Sequence, residues 1–170
     1  MSAIAIRLHI GPEETHITFI GANGAERVLT LYLGAQKITR DYFHHNPPTP
    51  DEMETAIMVV EDEISRIRDD IPAGARPFSN DPQLLNIALL AGVTPGESLE
   101  LSLAAMERMF DRLARVINGR PARFEGLPNE GDFAATLLIL REFMHHLAFE
   151  QIVINRLGTH FKALRNKSEA

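Results

Sequence analysis

The first ten residues constrain this chain more than any other segment. Ile4, Ile6, Leu8 and Ile10 alternate with Ala5, Arg7 and His9, and a period of two puts each set on its own face of a half-buried strand spanning residues 3–10. The turn-like Gly11-Pro12-Glu13-Glu14 leads into a second strand at 15–20, and Gly21-Ala22-Asn23-Gly24 turns it into a third at 27–33. The chain therefore opens as a three-stranded antiparallel meander with one apolar face, and the remaining elements must cover that face.

The rest of the chain carries mostly helical signals. Residues 36–44 read as a short helix that stops before Asn46-Pro47-Pro48. Thr49 is a plausible N-cap with Pro50 in the first helical position. Asp51 and Glu52 then complement the dipole, and Met53, Ile57, Val60, Ile64 and Ile67 form an apolar stripe ending near Ile71-Pro72. Further on, 76–79 reads as a short strand and 83–91 as a buried helix. An amphipathic helix at 101–117 closes at Asn118-Gly119, a helix at 132–147 and a strand at 151–154 come next, and a last helix at 158–164 runs into a frayed tail at about 163–170. This order predicts a single α/β domain over residues 1–170, with a mixed sheet and helices packed on its faces.

Composition narrows the function classes. With 170 residues, 45% hydrophobic and 24% charged, the chain can bury a core without staples. No cysteine is present, so a metal would have to use His, Asp or Glu. A net charge of -6 argues against nucleic acid, whose phosphates would be repelled. No window has the apolar length of a membrane span, and a cytoplasmic location is expected. There is no G-x-S-x-G elbow, H-E-x-x-H helix or P-loop lysine motif.

The order of certain motifs resembles a known family. The meander is followed by Leu33-Gly34-Ala35, then Asn46-Pro47-Pro48-Thr49-Pro50, and late in the chain by Gly126-Leu127-Pro128. This arrangement is similar to the second domain of the Ppx/GppA family of exopolyphosphatases and guanosine pentaphosphate phosphatases. The resemblance implies a ribonuclease H-like, actin-like ATPase fold, related to actin, sugar kinases and heat-shock chaperones. The family's S-L-P-L-G-A-V-R-L pattern appears here as Thr30-Leu31-Tyr32-Leu33-Gly34-Ala35-Gln36-Lys37-Ile38. Its first hairpin, D-I-G-G-G-S-T-E, becomes His9-Ile10-Gly11-Pro12-Glu13-Glu14-Thr15-His16. Its S-D-x-G-L-R-E-G lines up with Asn155-Arg156-Leu157-Gly158-Thr159-His160-Phe161-Lys162, and its G-G-T loop falls at Ser79-Asn80-Asp81-Pro82-Gln83.

The departures from that pattern bear on chemistry. A glycine-rich hairpin binds phosphate through bare backbone N–H groups arranged as a concave nest. At the corresponding positions Gly11, Pro12, Glu13, Glu14 and Thr15, proline removes a donor and two carboxylates stand where an anion would sit. Each such repulsion at contact is worth about 1 kcal/mol in water and about 4 at an effective dielectric of about 20. The resemblance also implies that a first domain supplies the carboxylate that activates water. The expected function is therefore non-catalytic, in protein association or regulation, with a homodimer or a protein partner and no cofactor. Aromatic residues beside loops, Tyr42, Phe43, Phe124 and Phe133, are the candidate contacts. The alternative is a residual phosphate- or nucleotide-binding protein, or an exopolyphosphatase-like phosphohydrolase for polyphosphate or guanosine pentaphosphate, working with a separate first domain.

Several charged residues invite a metal. A four-residue loop at 11–14 pairs Ile10 with Thr15 and His9 with His16, so both imidazoles share a sheet face. With Glu13 or Glu14 they form a candidate N/O set for zinc or nickel, although two solvated histidines are the preferred reading. Glu61-Asp62-Glu63 reads as a solvated face, because adjacent helical residues point about 100° apart. His145-His146 reads as capping or packing at a helix C-terminus. Arg108, Arg112 and Arg115 read as a surface ladder of ion pairs, with Arg141-Glu142 in a similar role.

Overall fold

The computed structural model describes residues 3–156. The helix expected at 158–164, the frayed tail and all but the start of the Asn155-Arg156 motif lie outside the described residues. The meander forms as expected: β1 (Ala5–Ile10), β2 (Thr15–Ile20) and β3 (Glu26–Leu31) pair antiparallel. The register is the one a four-residue loop imposes, with Ile10 opposite Thr15 and His9 opposite His16. β4 (Arg76–Ser79) and β6 (Gln151–Asn155) extend the sheet in parallel with β1, and β5 (Ser98–Ser102) closes it antiparallel to β6. The result is a six-stranded mixed sheet in the order β3-β2-β1-β4-β6-β5.

β5 is a correction to the sequence reading, which runs an amphipathic helix from Leu101. Leu99 and Leu101 alternate with Ser98, Glu100 and Ser102, a period of two that β6 captures as an edge strand. Ser102 then accepts a hydrogen bond from the Ala105 N–H at 3.0 Å and caps α4 (Leu103–Ile117).

Burial alternates in the same phase across paired strands. Ile6, Leu8 and Ile10 of β1 face the same side as Ile17, Leu31, Leu99, Leu101, Ile152 and Ile154, all essentially inaccessible. The described helices collect on this face: α1 (Ala35–Tyr42), α2 (Pro50–Ile67), α3 (Pro82–Leu90), α4, the short α5 (Ala122–Glu125) and α6 (Gly131–His146). The opposite face presents Arg7, Thr18 and Glu100, exposed or half-exposed. α6 lies at the centre of the helical layer, touching α1, α2, α3 and α4. Its buried residues therefore surround it, from Phe133 through Leu137, Leu138, Ile139 and Leu140 to Met144, the all-round burial of a helix covered on several sides.

α2 begins with a capping box. Thr49 Oγ1 accepts from the Glu52 N–H, and the Glu52 carboxylate accepts from the Thr49 N–H at 2.9 Å, which satisfies two orphan donors reciprocally. Its buried stripe is Met53, Ala56, Val60, Ile64 and Ile67, and a 3-10 turn at Arg68–Asp70 ends it. The acidic triplet is not simply a solvated face. Glu63 accepts the Tyr32 N–H at 2.6 Å and pairs with Arg66, tying α2 to the end of the meander. Glu61 turns the other way, toward α6. Arg112 is no surface ladder residue either: half-buried, it donates to the carbonyls of Leu90 and Glu125. Glu142, expected at the surface, is fully buried.

Candidate functional site

In open α/β sheets, ligands bind beyond the carboxyl ends of the parallel strands. Here those ends are the loop after β1, residues 11–14, and the segment after β4, Asn80-Asp81, side by side because β1 and β4 are neighbours. The sequence motifs point to both stretches, and the fold brings them together.

The loop is tight. Gly11 N–H donates to the Glu14 carbonyl at 2.9 Å, and a Cβ on Gly11 would stand 2.7 Å from that same oxygen. Thr15, fully buried, donates its hydroxyl to the Leu33 carbonyl at 2.8 Å, which fastens the start of β2 to the chain after β3. Gly34 then passes so close to the loop that a Cβ there would lie 2.3 Å from the Pro12 carbonyl oxygen. Glycine is required at that position for space, since its φ of -149° is ordinary extended backbone.

That close approach engages the N-terminus of α1. A helix N-terminus offers unpaired N–H groups to an anion. In this chain the Ala35 N–H donates to the Gly11 carbonyl, and the Gln36 and Lys37 N–H groups donate to the Pro12 carbonyl, each at 3.0 Å. The loop therefore meets the helix with oxygens, and the donors of the first turn are taken. Pro12 contributes by having no N–H of its own.

Asp81 completes the closure. Its carboxylate is nearly inaccessible and accepts two hydrogen bonds at 2.7 Å, from His9 Nδ1 and from the backbone N–H of Ile10. The Ile10 carbonyl in turn accepts from Gln83 Nε2 at 2.9 Å. A side-chain carboxylate thus holds the last N–H of β1. Asp81 precedes Pro82 at the start of α3, where an aspartate ordinarily caps its own helix. It makes no side-chain cap there. Sequence reasoning reaches Asp81 only as a loop residue, and the cue it misses is an Asp-Pro cap signal whose side chain is diverted across the sheet.

The two glutamates of the loop are compensated. Both oxygens of Glu13 pair with the Arg40 guanidinium at 2.8 and 3.0 Å, and that hydrogen bonding holds its carboxyl below the usual carboxylate range. Glu14 reaches His16 Nε2 at 3.1 Å. The electrostatic expectation is amended accordingly: the two carboxylates are compensated by Arg40 and His16, and within the loop the Gly11 N–H is taken by the Glu14 carbonyl.

His9 and His16 share a sheet face as expected, with rings stacked at 6.3 Å between centroids. Each already has a carboxylate partner, Asp81 for His9 and Glu14 for His16, while Glu13 is drawn away to Arg40. Among the described residues the group of side chains able to converge on one cation lies elsewhere, at Glu61, Glu142 and His146. The aromatic candidates for association also divide. Phe43 and Phe133 are buried in the core and Tyr42 packs half-buried against it, which removes the first two as contacts. Phe124 alone of the four is widely exposed, with Arg120 and Arg123 over its ring.

No family model matches this sequence, and no curated protein matches it by sequence. Solved structures do. The Ppx/GppA phosphatase of Aquifex aeolicus, type II variant, superposes with a TM-score of 0.69 at 16% identity, over 92% of this chain and 54% of that one. The fold is that of the Ppx/GppA structures. An exopolyphosphatase-like protein gives a TM-score of 0.66 at 12% identity, over 89% and 55%. An exopolyphosphatase from Cytophaga hutchinsonii gives 0.62 at 14% identity, over 91% and 53%. This chain spans about half the length of these Ppx/GppA-type structures.

Proposed function

We propose that this chain is a non-catalytic relative of half a Ppx/GppA phosphatase, corresponding to the second domain, and that it acts through protein association or regulation. One observation carries the reading: at the carboxyl ends of β1 and β4, the last N–H of β1 and the first N–H groups of α1 are bonded to the chain itself. The Asp81 carboxylate holds the Ile10 N–H, and the Gly11 and Pro12 carbonyls hold the first N–H groups of α1. An incoming phosphate would have to displace a nearly buried carboxylate to reach the Ile10 N–H and three backbone hydrogen bonds to reach the first turn of α1.

A thermal-shift screen with inorganic phosphate, polyphosphate, ATP and guanosine tetraphosphate tests this. A ligand at a hundredfold its dissociation constant stabilises its protein by about 2.7 kcal/mol. The expected result is no shift with any of them. A saturable shift would instead support the alternative, a phosphate- or nucleotide-binding protein or a phosphohydrolase completed by a separate first domain. Association with a second copy is the simplest form of the proposal, since self-complementary patches close with twofold symmetry. The strand at one end of the described sheet, β3, offers a place: Val28 on the strand and Ile20 and Tyr32 beside it are all more than half exposed, and an edge strand is a template for pairing.

A further inference from the structure

A second cluster of chemistry lies between α2 and α6, away from the loops after β1 and β4. Glu142 of α6 is fully buried. Its Oε1 is held by Arg141 Nη1 at 2.6 Å, and Arg141 is itself anchored on Glu107 at 3.1 Å. Its Oε2 faces His146 Nε2, one helical turn on, at 2.8 Å. Glu61 of α2 brings its Oε1 to 3.3 Å from the same His146 nitrogen.

The geometry at this point is not that of a settled ion pair. Glu142 Oε2 and His146 Nε2 are both covered, and neither makes a hydrogen bond among the described residues. They are close enough for one but misaligned, and a buried carboxylate oxygen left without a partner carries its full desolvation penalty. Two carboxylates and an imidazole, from two helices, present one atom each within 4.8 Å of one another. Ligands of a tetrahedral cation at about 2.0–2.1 Å stand about 3.4 Å apart, and the two carboxylate oxygens already stand 2.8 and 3.3 Å from His146 Nε2.

We propose that Glu61, Glu142 and His146 are the protein ligands of one divalent transition-metal ion, zinc fitting best, that ties α2 to α6. The donor set selects the class. Two carboxylates alone suit magnesium or calcium, whereas an imidazole among them shifts preference to zinc and its neighbours, and no thiolate competes. A dication neutralises the two facing carboxylates and gives Glu142 Oε2 the partner it lacks. Arg141 acts as the outer-shell group, fixing Oε1 so that Oε2 is the oxygen offered. The site does not rest on the phosphatase-like reading and involves none of its residues.

The test titrates Zn2+ alone into the metal-stripped full chain by calorimetry, with Co2+ absorption as a spectroscopic readout. The expected result is a single saturable zinc per chain, weakened at least tenfold by Glu61→Gln and by His146→Gln, with cobalt d–d bands lost in both. Glu61 is the more exposed ligand, so Glu61→Gln keeps the test valid if changes at buried Glu142 unfold the chain. A His9→Gln/His16→Gln double variant is expected to bind zinc unchanged. Absence of saturable binding, binding indifferent to both ligand variants, loss of binding in the His9/His16 variant, or displacement by millimolar Mg2+ would each overturn the assignment.

Discussion

Asp81 decides the character of the loop edge through two bonds. One serves His9, a half-exposed imidazole, and the other the Ile10 N–H, buried at the end of β1. Removing the carboxylate leaves a buried donor without an acceptor, which costs the desolvation of that group and not merely the net worth of the bond. Asp81→Ala is expected to lower stability by about 1–3 kcal/mol, read as a shift in the urea midpoint with an unchanged slope. An unchanged midpoint would mean that water or a neighbour replaces the carboxylate, and would weaken the closed-edge argument. Gly34 shows the same economy of space, since any side chain there would press the loop off α1.

At the scale of elements, the start of α2 carries a pH signature. Glu52 closes the capping box, and its carboxyl falls from 4.5 to about 2, first through the hydrogen bond from the Thr49 N–H and then through those from the His45 ring and the His44 N–H. A carboxyl whose folded pKa is depressed stabilises the fold above its unfolded pKa and loses that contribution as pH falls through the folded one. The window is therefore about pH 4.5 down to about pH 2. Urea unfolding at about pH 5 and about pH 2.5 is expected to show a smaller loss for Glu52→Gln than for the natural chain, because glutamine keeps one oxygen to accept the Thr49 N–H, gives up the His44 and His45 bonds at every pH, and does not titrate. Equal losses would place the acid sensitivity elsewhere. β5 and α4 teach a related point: one continuous apolar pattern became two elements, because Ser102 caps a helix where β6 ceases to pair.

For the whole molecule, the sheet buries one face under the described helices and presents Arg7, Thr18 and Glu100 on the other. Exposed large apolar side chains are few among the described residues, and three of them, Ile20, Val28 and Tyr32, gather around β3. Light scattering at micromolar concentration is expected to give a dimer mass, and Val28→Lys to reduce it, since a charge on an edge strand blocks pairing. A monomer mass would remove the second copy as the partner and leave association to a different protein.

What the sequence by itself determined was local. The alternation from Ile4 to Ile10 and a four-residue turn were enough for the meander and its register, down to His9 opposite His16. The Thr49-Pro50 signal was enough for the start of α2. These are decided by hydrogen bonds and side-chain periods within a few residues, so their cues lie next to one another in the chain. Only the tertiary structure decided the rest. Asp81 reaches Ile10 across 71 positions, Phe43 and Phe133 go inward because α1 and α6 pack together, and Glu61 meets Glu142 and His146 because α2 lies against α6. Each of those residues looks locally like a cap, a surface charge or a loop aromatic. Their partners are brought near by burial of the sheet's apolar face, which acts on whole elements and leaves no mark on the residues beside them.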